Sequence, residues 1–88
     1  MEIEKGEVIT LSDNRDYVCL SVIMTEDGKK YLYLMTTLKP IEFCFAEETI
    51  ISNTVQMRII GSKDEKRSLF ALLKNQRKSN FDQGAHHD

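Results

Sequence analysis

The sequence predicts an α+β fold that is mainly β: about five antiparallel strands in a bent sheet or small SH3-like barrel, with one C-terminal helix. Three observations predict it. Short runs rich in Val, Ile, Tyr and Phe recur between turn residues up to position 60. Asp27-Gly28 separates the two longest runs, and Asp-Gly in that setting is a strong hairpin signal. Beyond Gly61 the apolar residues recur every third and fourth position, the period of a helix. At 88 residues the chain sits below the usual domain size of about 100–150. One domain over 1–78 is therefore expected, followed by a polar, disordered tail over 79–88.

The elements follow in order. Gly6 opens a strand over 7–11, and Ser12-Asp13-Asn14-Arg15-Asp16 is turn chemistry, because short polar side chains bond their own backbone. Residues 17–25 and 30–37 form the hairpin arms. A two-residue loop would set Val22 against Tyr33. A three-residue loop with Gly28 in the left-handed region sets Val22 against Leu32 and Leu20 against Leu34. The second register gathers Val18, Leu20, Val22, Met24, Leu32 and Leu34 on one apolar face, leaving Cys19, Ser21, Ile23, Tyr31, Tyr33 and Met35 on the other. A one-residue slip exchanges faces completely, so burial selects the three-residue loop. Lys39-Pro40 interrupts pairing, since proline has no N–H to donate. Residues 41–47 form the fourth strand, with Phe43 and Phe45 read as core. A single turn is expected at 47–50 and another at Ser52-Asn53. The fifth strand, 54–60, points Val55, Met57 and Ile59 inward. Ser62 caps a helix over 63–78, and Glu65 three positions on completes a capping box. Leu69, Leu72, Leu73 and Gln76 form its inward stripe.

Composition limits function. Hydrophobic residues make up 41% and charged residues 30%, too apolar for a chain that stays disordered. No run approaches the ~18 apolar residues of a membrane span. The acidic N-terminus lacks the apolar stretch of a secretory signal. The expected location is cytoplasmic. Charge is divided: residues 1–61 carry six basic and ten acidic side chains, a net −4, whereas 62–78 carry six basic and two acidic, a net +4.

Chemistry-bearing constellations are absent from the pattern. Cys19 and Cys44 form no CxxC and have no histidine nearby, so zinc ligation is not expected. In a reducing compartment they are read as free thiols packed as small apolar groups rather than as a disulfide. His86 and His87 fall in the terminal Gly84–Asp88 stretch, which offers a metal no fixed geometry. No metal and no cofactor are expected. There is no GxSxG, HExxH, GxxxxGK or GxGxxG, and no histidine within the body to act as a base. The protein is expected not to be an enzyme. Thiol chemistry at Cys19 or Cys44 would need a cationic neighbour to lower the pKa.

Two features are left to carry binding. Tyr31, Tyr33, Met35 and Ile23 share a sheet face, and tyrosines suit interfaces because a large apolar ring ends in a polar tip. The same face equally suits burial beneath the helix. The second feature is the basic helix, with Lys66, Arg67, Lys74, Arg77 and Lys78, which reads either as a solvated face or as a nucleic-acid contact.

The order of Gly6-Glu7-Val8-Ile9-Thr10-Leu11, a tyrosine-rich hairpin, Phe45-Ala46-Glu47-Glu48 and the run from Ile59-Ile60-Gly61 to Leu69-Phe70 resembles a small family of Gram-positive bacterial proteins. Its members are often encoded near type VII secretion loci. Ser12-Asp13-Asn14 stands where that family has a glycine-rich turn. The resemblance implies a bacterial, cytoplasmic accessory role and carries over no catalytic residues. Together these readings favour a non-enzymatic protein-interaction or accessory module. It would use the Tyr31/Tyr33/Met35 face or a free edge strand, with a protein partner or self-association. The alternative is a nucleic-acid-binding small barrel using the basic helix. No membrane partner is expected.

Overall fold

The computed structural model describes residues 2–85, with side chains through 76. Strands β1 (Val8–Thr10), β2 (Asp16–Met24), β3 (Lys30–Thr36), β4 (Phe43–Ile51) and β5 (Thr54–Ile59) form one antiparallel sheet in sequence order, a meander. The sheet curls into an open half-barrel, with helix α1 (Lys63–Ala85) packed on one face. This is the expected α+β, mainly β class. The sheet is open, because β1 and β5 do not pair with each other.

The turns explain the register. At the β2–β3 hairpin, Thr25 N–H donates to Lys29 O at 2.9 Å, and Gly28 takes φ +86°. This is the expected three-residue loop, and Val22 pairs with Leu32 as it requires. Ser52 and Asn53 both adopt positive φ between Ile51 and Thr54, the two-residue turn whose twist matches that of the strands. At the first turn Asp13 Oδ1 accepts from Arg15 N–H at 3.0 Å. No turn forms at 47–50. β4 runs through to Ile51, because Glu47 and Glu48 each find a cation: Arg58 on β5 at 2.7 Å and Lys30 on β3 at 3.1 Å.

One irregularity reorders the faces. Cys19 pairs with Leu34, but Ser21 pairs with Tyr33, so Leu20 is an extra residue in a β-bulge. The expected Leu20–Leu34 pair is therefore replaced by Cys19–Leu34. Tyr17 and Cys19 join Leu32, Leu34 and Ala46 on the face away from the helix, with Ile3, Ile9, Leu11, Val22, Cys44 and Met57 packed around them. Val18 turns to the helix face, and Met24 lies 61% exposed at the hairpin end. The single apolar face expected from Val18 to Met24 is thus corrected: two faces are buried, and β2 changes parity between them.

The helix face holds Ile23, Tyr31, Phe45, Ile60, Leu69 and Leu73, with Tyr33 packed beside them. Ser62 Oγ accepts from Glu65 N–H at 3.3 Å, which caps the helix as expected. The return half of the capping box is absent. Glu65 Oε2 instead accepts from Arg58 Nη2 at 3.3 Å, tying the helix start to β5. The helix backbone continues to Ala85 rather than ending at 78. Nothing between Ser79 and Gln83 breaks a helix, and Gly84, the first poor helix former, falls in its last turn. Residues 86–88, including His86 and His87, lie outside the described residues.

A candidate docking surface

Ile23 and Tyr31 are 2% and 7% exposed beneath α1. Their expected role in an open contact surface is corrected, because the amphipathic helix has to bury its stripe against something and this face is where it lands. The other two candidates differ. Tyr33 and Met35 are half-buried, at the margin of the helix's footprint.

Beyond that margin the register builds a continuous row. Val8 pairs with Val18, Val18 with Met35, and Met35 with Phe43, so four apolar side chains from four strands stand side by side on the helix face. At about 4.8 Å per strand the row spans roughly 14 Å. Val18 and Met35 are half-buried, while Val8 and Phe43 at its ends are 58% and 53% exposed. Phe43 is uncovered for a simple reason. β5 pairs with β4 only as far as Ala46–Ile59, after which the chain turns off into the helix.

An aromatic cluster joins this row to α1. Tyr33 stacks on Phe43 with centroids 5.8 Å apart and meets Phe45 at 4.9 Å. Phe70 of the helix makes T-shaped contacts with Tyr33 at 5.9 Å and with Phe45 at 4.9 Å, yet is still 43% exposed. Offset and edge-on contacts of this kind each add about 0.5–1.5 kcal/mol beyond simple burial. The cluster therefore holds Phe43 and Phe70 in place while leaving part of each ring open. Sequence reasoning missed Val8, Val18, Phe43 and Phe70 as surface residues. Phe43 looks like core in its own strand, and the row exists only because the bulge pairs Val18 with Met35.

Next to the row a cleft of about 500 Å³ lies between β2 and α1 and includes Lys5, Leu20, Tyr33 and Gln76 in its lining. Gln76 Nε2 donates to Val22 O at 3.2 Å across it. Among the described residues no carboxylate, histidine or cysteine lines the cleft.

Lys66, Arg67 and Lys74 are exposed on α1, and Arg77 and Lys78 lie on its helical backbone with side chains outside those described. Lys66 stands near enough to β4 for its charge to act on the Cys44 thiol, although burial, the larger influence, pushes that thiol's pKa up. Burial likewise raises the Cys19 pKa, so neither sulfur is poised as a thiolate at neutral pH. Both cysteines pair across from Leu34, one on each side, and so sit two strand spacings apart. That is about 9.6 Å, beyond the ~7 Å a disulfide can bridge.

Among the described residues no group of three His, Cys, Asp or Glu is placed to hold a metal ion, and no helix is long and apolar enough to cross a membrane. No protein family, no curated protein and no solved structure matches this chain.

Proposed function

We propose that this protein is a non-enzymatic interaction module whose contact surface is the apolar row Val8–Val18–Met35–Phe43 together with Tyr33 and Phe70. The observation that carries the reading is that row. Isolated exposed apolar residues are ordinary on a protein surface, but a contiguous, ring-ordered patch beside a charged helix is characteristic of protein contacts. The candidates Tyr33 and Met35 remain part of the surface, while Ile23 and Tyr31, on the same sheet face, are covered by α1. The resemblance to Gram-positive proteins encoded near type VII secretion loci supports a bacterial, cytoplasmic accessory role.

Phe43→Ser tests the reading. Phe43 is half-exposed, so the variant is expected to keep the fold, which circular dichroism checks. Immobilised wild-type protein is expected to retain from host lysate a stoichiometric partner that the folded variant loses. Equal retention by both would overturn the reading.

A second reading has its own observation in the exposed cations Lys66, Arg67 and Lys74, continued along α1 by Arg77 and Lys78. A nucleic-acid binder would be held on DNA or RNA at low salt, with affinity falling steeply as salt rises. Charge reversal at Lys74 and Arg77 would abolish that retention. No retention at low salt removes this reading.

A further inference from the structure

We infer that the apolar row and the adjoining flank of α1 form one composite surface that takes an acidic segment of a partner protein, anchored by aromatic or branched aliphatic side chains. The inference rests on the docking reading above and adds the partner's chemistry.

Phe70 fixes the geometry, because it is the helix residue that touches the sheet's aromatic cluster. Lys66 stands one turn before it, Lys74 one turn after it, and Arg67 three positions before it. Residues so spaced share one side of a helix. At about 100° per residue, Lys63, Lys66, Arg67, Phe70 and Lys74 occupy a sector of about 100° on α1. Asp64 and Glu65 fall outside that sector. The helix therefore presents its cations on the flank that overlooks the row, and its anions elsewhere.

The pairing of charges points the same way. Arg15 in the first turn and Lys30 and Arg58 in the sheet each hold a carboxylate within 4.0 Å. Among the described residues no ion pair involves Lys63, Lys66, Arg67 or Lys74. Their side chains are exposed. A further cation, Lys5, lines the cleft beside Tyr33. An apolar strip bordered by unneutralised positive charge is complementary to a segment whose apolar anchors are interleaved with Asp or Glu.

The same flank is poorly formed for bases. Stacking requires an open ring face. Of the surface's rings only Phe43 and Phe70 are substantially exposed, and one face of Phe43 is already taken by Tyr33, stacked on it at an interplanar angle of 17°. Val8, Val18 and Met35 offer no ring at all.

The test uses the full chain, ¹⁵N-labelled, and a fluorescein-labelled helical peptide carrying Phe and Leu anchors among glutamates. Its counterpart with every Glu replaced by Gln and an oligo-dT strand are the comparisons. The acidic peptide is expected to shift the amide signals of Met35, Phe43, Lys66, Phe70 and Lys74. Its affinity is expected to fall with salt, and to fall about fivefold or more in Lys66→Glu/Lys74→Glu, as two rim charges imply. Lys66→Arg/Lys74→Arg should keep it. If the Gln peptide binds the same residues as tightly, the acidic partner is refuted while the docking surface stands. Shifts scattered elsewhere for both peptides overturn the surface itself. Tighter binding of oligo-dT than of the acidic peptide overturns the inference in favour of nucleic acid.

Discussion

Glu48 is the most constrained ionised group described. Its side chain is 1% exposed on the face away from the helix, where Lys30 Nζ donates to one oxygen at 3.1 Å and the Ile3 backbone N–H to the other at 3.1 Å. Removing Glu48 leaves the buried Lys30 ammonium only the exposed Glu2 carboxylate, 3.6 Å away. Glu48→Ala is therefore expected to cost about 3 kcal/mol, the low end for breaking a buried pair, read by urea unfolding. Part of that loss is release of the N-terminal segment that Ile3 anchors. Tyr17 and Asp13 form a second coupled site, with the phenol donating to Asp13 Oδ2 at 2.7 Å. That bond, the largest influence on each, lowers the Asp13 pKa from 3.8 and raises the Tyr17 pKa from 10.0. The signs give a window. Asp13's contribution to stability is present above pH 3.8 and is lost as pH falls through its folded value. Tyr17's is present below pH 10.0 and is lost as pH rises through its folded value. Asp13→Ala is expected to bring the Tyr17 ionisation down toward 10.0, followed by tyrosinate absorbance. An unmoved titration would refute the coupling.

At the scale of elements, local chemistry was legible and irregularity was not. The hairpin loop could be read because Asp-Gly fits few conformations, and Gly28 adopts the required positive φ. A Cβ added there meets nothing within 4 Å, so the cost of Gly28→Ala is conformational alone. It is expected at about 1–2 kcal/mol, visible as a lower melting temperature. The β2 bulge left no mark in the sequence. Val18, Cys19, Leu20 and Val22 suit either face, so an alternation rule counts straight through the extra residue. Helix start and inward stripe were legible from Ser62 and the leucine spacing, and two of the stripe's leucines, Leu69 and Leu73, are buried. Leu69→Ala or Leu73→Ala should cost about 2–5 kcal/mol by denaturant unfolding. Leu72, 39% exposed, should cost less. Four buried residues beneath a helix also explain why the tyrosine face misled. The pattern showed a second apolar face but not how far along it the helix would reach.

For the whole molecule, an open meander leaves more surface to manage than a closed barrel. One edge strand, β1, has only three residues, and the other, β5, has six. Short edges limit uncontrolled strand pairing, although Ile50, Ile51 and Ile59 remain about half exposed around β5. The division of charge between an acidic sheet and a basic helix becomes an arrangement in space, because α1 crosses only part of its face and carries its positive side along the border of the uncovered part. The docking surface was legible in kind, as a sheet face bearing Tyr33 and Met35, but not in position. Its ends, Val8 and Phe43, come from strands 35 positions apart and meet only through two intervening pairings.

The extra residue in β2 also makes one deletion benign. Excising Leu20 would place Ser21 directly after Cys19, and the pairings Cys19–Leu34 and Ser21–Tyr33 would become consecutive rungs of an unbroken ladder. Every other side chain in the strand would keep its orientation. Shortening β2 by one residue at Val18 or Val22 would instead move Cys19 or Ser21 to the opposite face as Leu20 fills the gap. One-residue deletions scanned along β2 should thus be best tolerated at Leu20 and at its neighbours Cys19 and Ser21, where Leu20 takes the vacated rung, and worse at Val18 and Val22.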